Sequence, residues 1–191
     1  MRTVVLQEFV SLDGMIAGPN DSVDFIPASM QGDVTFGREQ SALMDTVDTL
    51  LLGRVTYEMF AGYWPNASKS DAGEKEFADK FNSLSKVVFS KRLERAPWGD
   101  WKPGTIVKRN AVEEVASMKE QPGKSMLISG SLSLAQPLMQ AGAIDEYRLI
   151  VCPVTLGGGR PLFRAETKLH LKLVKATTMD RGAVSLVYAR R

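Results

Sequence analysis

Short apolar runs recur along this chain, and most are separated by stretches of helical spacing. That interleaving constrains the fold more than any other feature, because parallel strands need a crossover, usually a helix, to bring the chain back to the same end of the sheet. Residues 2–10 (RTVVLQEFV), Thr49–Leu52, Lys86–Ser90, Ser125–Ile128 and Tyr147–Cys152 read as strands, with a further short one at Thr105–Lys108. Helical spacing occupies 37–47, Thr56–Ala61, 72–84, Val112–Lys119 and 131–141. Leu43, Met44, Phe77, Phe81, Leu134 and Leu138 fall on inward faces. Pro65 is expected to stop the second helix, and Gly18-Pro19-Asn20 with Pro27 reads as loop. Two alternating strands close the chain, around Leu169–Leu173 and Val184–Tyr188. The expected fold is α/β, with a twisted, mostly parallel central sheet flanked by helices and an antiparallel C-terminal edge. No Pro/Gly/Ser linker divides the 191 residues, so the expectation is one domain over 1–191.

Composition removes several classes of function. The net charge of +2 and the lack of a dense Lys/Arg run argue against a nucleic-acid partner. One cysteine, Cys152, and one histidine, His170, exclude an intrachain disulfide, a Cys/His zinc cluster and the zinc-deaminase signature. No metal is expected. No signal segment is recognised, and no apolar run approaches the roughly 20 residues a membrane-spanning helix needs. A cytoplasmic location is the expectation that follows.

Three strand-to-helix junctions carry the chemistry. Leu52-Gly53-Arg54-Val55-Thr56 ends a strand and opens a helix, where free amides, the positive helix end and Arg54 suit an anion. The plainer reading is a turn glycine with Thr56 as helix cap. Phe89-Ser90-Lys91-Arg92 places a hydroxyl and two cations after a strand, which suits a 2′-phosphate or is simply a solvated basic turn. Ser129-Gly130-Ser131 combines a glycine that lets backbone approach a pyrophosphate with two hydroxyls, or is a capped helix entry. Ligands of open α/β sheets bind outside the carboxyl ends of the strands, where all three junctions lie.

Other patterns fail on inspection. Gly123-Lys124-Ser125 lacks the earlier glycine of a phosphate-binding loop and precedes a strand. There is no G-x-S-x-G elbow, and His170 sits on an alternating, solvent-facing strand, so a serine triad does not assemble. Cys152 lies in an apolar run, as an inert core thiol does. Gly157-Gly158-Gly159 reads as a flexible loop.

Taken in order, Ser11-Leu12-Asp13-Gly14-Met15-Ile16-Ala17, Leu52-Gly53-Arg54-Val55-Thr56-Tyr57-Glu58, Ile128-Ser129-Gly130-Ser131 and Pro153–Phe163 (PVTLGGGRPLF) resemble the dihydrofolate-reductase-like superfamily. Within it, the resemblance is to the reductase domain of riboflavin-biosynthesis deaminase–reductases and their stand-alone bacterial relatives, and it covers almost the whole chain. The resemblance implies NADPH along the strand ends. Ile16 and Ala17 match the nicotinamide loop, and Gly53, Arg54 and Thr56 the phosphate turn. Ser90 and Lys91 match the 2′-phosphate region, and Ser129, Gly130, Ser131 and Leu132 the pyrophosphate turn. Relatives often carry two adjacent glycines in that last turn, where this chain has the pair Ser129-Gly130 with Ser131 following.

The implied activity is NADPH-dependent reduction of a small heterocycle or of a carbonyl or imine, with 5-amino-6-(5-phosphoribosylamino)uracil as the family-based substrate. The alternatives are a non-catalytic NADP(H)-binding or sensing protein and a dihydrofolate reductase. Candidate acids are Asp13, whose plainer role is to bond its own turn, and Glu39, with Asp33 in the same stretch. Trp64, Arg160 and Phe163 are candidate substrate contacts, although Trp64 and Phe163 read equally as core. The expected partners are a small-molecule substrate and a second copy of the chain, as a homodimer.

Overall fold

The computed structural model describes residues 1–67, 69 and 72–191, and side chains outside 72–74. Along the chain run β1 (Val4–Ser11), β2 (Met15–Ala17), α1 (Phe25–Met30), α2 (Val34–Thr46), β3 (Val47–Gly53), α3 (Arg54–Ala67), α4 (Ala72–Ser83) and β4 (Ser85–Phe89). There follow β5 (Thr105–Val107), α5 (Ala111–Lys119), β6 (Ser125–Ser129), α6 (Leu132–Gln140), β7 (Glu146–Cys152), β8 (Arg160–Pro161), β9 (Leu171–Thr178) and β10 (Val184–Arg190). Contacts gather into two compact units: Met1–Val4 with Gln40–Ala143, and Val5–Glu39 with Ile144–Arg191. No helix among the described residues is long and apolar enough to cross a membrane.

In the first unit β3 lies between β4 and β6, and β4 also pairs β5, all in parallel. Burial on both faces explains the unbroken Leu50-Leu51-Leu52 run, each residue fully buried. Helix α3 is longer than its sequence predicts, because it continues through Pro65 to Ala67. The proline forfeits one backbone hydrogen bond, but Pro65 is itself buried and follows Trp64, which packs on Phe60, Phe77 and Phe81. Tertiary packing overrides the local signal. Lys86 is buried beneath the Trp98 ring and donates to the carbonyls of Asn82 and Leu84, satisfying the end of α4. Near the amino terminus the buried Arg2 side chain bonds Asp48, the Lys124 carbonyl at 2.7 Å and the Thr49 hydroxyl at 2.8 Å.

The second unit pairs β1 with β7 in parallel, then β7 with β10 and β10 with β9 antiparallel. This is the expected antiparallel C-terminal edge. Helix α1 falls where the sequence reads as loop. Pro27 is its third residue, where a missing N–H leaves no intrahelical bond unmade. Two carboxylates hold the start of α2. Asp33 accepts from the Phe36 amide at 2.8 Å and from the Arg181 amide at 2.9 Å. Asp180, at the tip of the β9–β10 hairpin, accepts from the amides of Val34 and Thr35 and from the Thr35 hydroxyl.

Glu8 departs from the apolar pattern of β1. It is buried, and its Oε1 has no hydrogen-bond partner. Burial pushes its carboxyl up to about 8 from 4.5. The folded chain therefore keeps a proton that the unfolded chain releases, so the stability this group contributes is full below about 4.5 and declines as pH rises toward 8. Urea unfolding at pH 5 and pH 8 should show a smaller difference in midpoint for Glu8→Gln than for the wild type. Asp33→Ala should lower stability by about 1–2 kcal/mol through loss of the helix cap.

Candidate functional site

The site grows out of strand pairing. Parallel register aligns Gly53 with Phe89 and Leu51 with Ile128, so β3, β4 and β6 end at the same rim. Each is followed by a turn into the next segment. The Gly53 amide donates to Ser131 Oγ at 2.9 Å, and the Ser131 amide donates to Thr56 Oγ1 at 3.0 Å. The turn after β6 is left-handed at two consecutive residues, Gly130 (φ 64°) and Ser131 (φ 61°). Glycine adopts that conformation freely, whereas serine there costs roughly 1–2 kcal/mol. A Cβ on Gly130 would also press on Thr56 Cγ2 at 3.2 Å.

A cavity of about 340 Å³ opens at this rim. Arg54, Lys91 and Arg92 give it three cations, and Ser90 and Ser133 give it hydroxyls. Val55, Phe89 and Leu134 form its apolar lining, and Gly53 contributes a stretch without a side chain. Helix α3 starts at Arg54, so a first helical turn, whose amides have no partner within the helix, begins at the cavity. The Arg54 guanidinium is steadied by Glu58, one turn along α3, at 2.7 Å. Ser90 Oγ accepts from the amides of Arg92 at 3.2 Å and Leu93 at 3.1 Å, which shapes the basic turn.

The structure thus brings Gly53, Arg54, Ser90 and Lys91 together. Thr56 and Ser131 are buried and bonded as above, and Ser129 and Leu132 bracket the turn at the end of β6 and the start of α6. Arg92 and Ser133 are additions. Arg92 is visible as the last cation of the Phe89–Arg92 motif, but Ser133 carries no signal beyond following Ser131 by two residues. Trp64 is not in the cavity lining. It lies in an aromatic cluster, 4.6 Å from Phe81 and 5.0 Å from Tyr63 between ring centroids, because α3 extends past it.

The second unit carries the remaining candidates. Ile16 and the buried Ala17 lie on β2, which pairs β8. Gly159 (φ 126°) makes that pairing possible, since a Cβ there would fall 2.1 Å from the Ala17 carbonyl oxygen. Arg160 pairs with Asp21 at 2.8 Å, and Phe163 is exposed. Asp13 does more than bond its own turn. Beyond Ser11 Oγ at 2.5 Å, it accepts from the amides of Leu156 and Gly157, tying the Gly-rich loop to the Ser11–Gly14 turn. The Ser11 hydroxyl, then those two amides, hold its carboxyl down at about 2. For Glu39, burial works to raise the value, but hydrogen bonds from Lys175 and Thr177 outweigh it and the net direction is downward. Both acids are therefore ionised near neutrality. Among the described residues no group of three or more His, Cys, Asp or Glu is placed to hold a metal ion, and Cys152 is buried.

These features define an α/β protein with an anion-suited cavity at the carboxyl ends of parallel strands. The chain belongs to the RibD C-terminal domain family, whose model matches residues 2–185. The uncharacterised Bacillus subtilis proteins YyaP and YwjB are each 33% identical to it, over 98% and 99% of this chain and 94% and 98% of their own length. Among solved structures it is similar to a Shewanella sp. PV-4 protein provisionally named for riboflavin biosynthesis, with 24% identity, 99% of both chains covered and a TM-score of 0.75. It is also similar to the Thermotoga maritima diaminohydroxyphosphoribosylaminopyrimidine deaminase/5-amino-6-(5-phosphoribosylamino)uracil reductase, with 14% identity and a TM-score of 0.68, covering all of this chain and 57% of that one. A third similar structure is Enterococcus faecalis dihydrofolate reductase complexed with NADP(H), with 14% identity, 99% and 96% coverage and a TM-score of 0.62. At these identities the three structures speak to the fold, which is the dihydrofolate-reductase-like α/β fold expected from the sequence.

The Asp13 clamp is directly testable. Asp13→Ala should speed hydrogen exchange at the Leu156 and Gly157 amides. In the wild type their protection should persist as the pH falls until the carboxylate protonates near 2.

Proposed function

We propose that this chain is an NADPH-dependent reductase of the riboflavin-biosynthesis type, acting on a C=O or C=N group of a small heterocycle. The observation that carries the reading is the cavity at the strand ends, where three cations and two hydroxyls meet an apolar wall. That lining fits a phosphorylated nucleotide. Arg54 offers a bidentate fork beside the start of α3, Lys91 and Arg92 offer charge for a second phosphate, and Phe89 and Val55 offer apolar surface for a base. Family membership supports the reaction class, as do the reductase named for the Thermotoga protein and the NADP(H) bound to the Enterococcus enzyme.

When bound, NADPH supplies the hydride. The chain's own residues bind and orient. Arg54, held by Glu58, fixes one phosphate, and the Ser90–Arg92 turn selects the phosphate that distinguishes NADPH from NADH. In the second unit Asp13 keeps the loop after β7 ordered next to the Ser11–Gly14 turn, and Ile16 is the proposed nicotinamide neighbour. Arg160, exposed and paired with Asp21, is the proposed contact for a substrate phosphate. With Asp13 and Glu39 both ionised, the proton that completes the reduction is assigned to an ordered water.

Titration of NADPH fluorescence should show saturable binding, tighter than for NADH. NADPH oxidation with an aminopyrimidine ribitol- or ribose-phosphate acceptor should then follow. Binding without turnover on any pyrimidine, pterin or carbonyl acceptor would instead indicate a nucleotide-binding protein that does no chemistry. Arg54→Ala should weaken NADPH binding by about 1.5–3 kcal/mol, the worth of a charge-assisted hydrogen bond, and unchanged affinity would remove this turn from the site.

A further inference from the structure

We propose that Ser131 and Thr56 act as positioning residues, a clasp that sets the spacing of the two turns rimming the cavity. This rests on the reading of the cavity as a nucleotide site. Neither side chain lines the cavity, and both residues are 8% exposed. Their polar groups are used on the facing turn. Ser131 Oγ accepts from the Gly53 amide at 2.9 Å, and its own amide donates to Thr56 Oγ1 at 3.0 Å. The recorded pairing of β3 with β6 runs as far as Leu51 and Ile128, so these two bonds carry the tie beyond the strands and into the turns.

The residues so joined lead directly into the lining. Gly53 is itself part of it, and Ser133 and Leu134 follow Ser131, whose carbonyl accepts the Leu134 amide at 2.8 Å. The left-handed backbone at Ser131 suits glycine, which would hold the same turn without strain. A hydroxyl at this position is explained by the bond it makes to Gly53, not by the backbone it must adopt. The clasp therefore fixes where the Gly53 and Ser133 walls stand before a ligand arrives, a form of preorganisation.

The test compares Ser131→Gly, Thr56→Val and Thr56→Ser. Ser131→Gly should unfold at the same temperature as the wild type or higher, yet lose exchange protection at the Gly53 amide and bind NADPH about tenfold more weakly, the scale of one lost hydrogen bond. Thr56→Val should lose protection at the Ser131 amide with a similar fall in affinity, and Thr56→Ser, which keeps the hydroxyl, should restore both. Equal NADPH affinity in Ser131→Gly, Thr56→Val and the wild type overturns the clasp while leaving the nucleotide site standing. A loss of affinity that tracks a fall in unfolding temperature also overturns it, by showing a purely structural role. If the wild type takes up no NADPH, the nucleotide reading fails, and this role fails with it.

Discussion

Parallel pairing on both sides of β3 is the constraint from which the rest of the first unit follows. Because β4 and β6 run the same way as β3, all three strands finish at one rim, and each must hand the chain to a turn there. Three turns crowd at one edge, those after β3 and β6 tied to one another through Ser131 and Thr56, and the starts of α3 and α6 among them add partial positive charge. The cations at Arg54, Lys91 and Arg92 sharpen a polarity that the topology already creates.

Many of the strand positions could be anticipated because burial on both faces leaves an unmistakable mark, as in Leu50-Leu51-Leu52 and Met126-Leu127-Ile128. What escaped the sequence was decided by tertiary contacts. Pro65 looks like a helix stop until it is buried next to an aromatic cluster, and Pro27 looks like loop until it occupies the first turn of a short helix. Gly53, Arg54, Ser90 and Lys91, which the structure brings to one cavity, were legible as candidates because glycine and cations after strands have a physical rationale. Ser133 was not, since a serine on a helix face looks the same whether or not a cavity adjoins it. Trp64 read equally as ligand wall or core, because an aromatic ring fits both, and its place among Phe60, Phe77 and Phe81 could be read only from the packing.

The acids of the second unit share a pattern. Asp13, Asp33 and Asp180 all accept backbone amides from segments distant in sequence, and Glu39 is taken up by Lys175 and Thr177 on β9. Carboxylates used in this way hold loops in place, and the bonds they accept draw the carboxyls of Asp13, Glu39 and Asp180 downward. Glu8 contrasts with these four, being buried without a partner for Oε1 and favouring its neutral form. Asp13, Asp33, Glu39 and Asp180 thus serve architecture, which accords with the cofactor-borne chemistry proposed above.

The Arg2 clamp bears on how such a chain comes into being. Its guanidinium joins Asp48 and Thr49 to the carbonyl of Lys124, so one side chain closes contacts of very different sequence separation, the longest spanning 122 residues. Until the segment bearing Lys124 leaves the ribosome, the nascent first unit lacks its closing tether, and β3 is left with one flank uncovered, since β6 has yet to emerge. A contact of that separation is closed late, because its loop-closure entropy is paid before the bond rewards it.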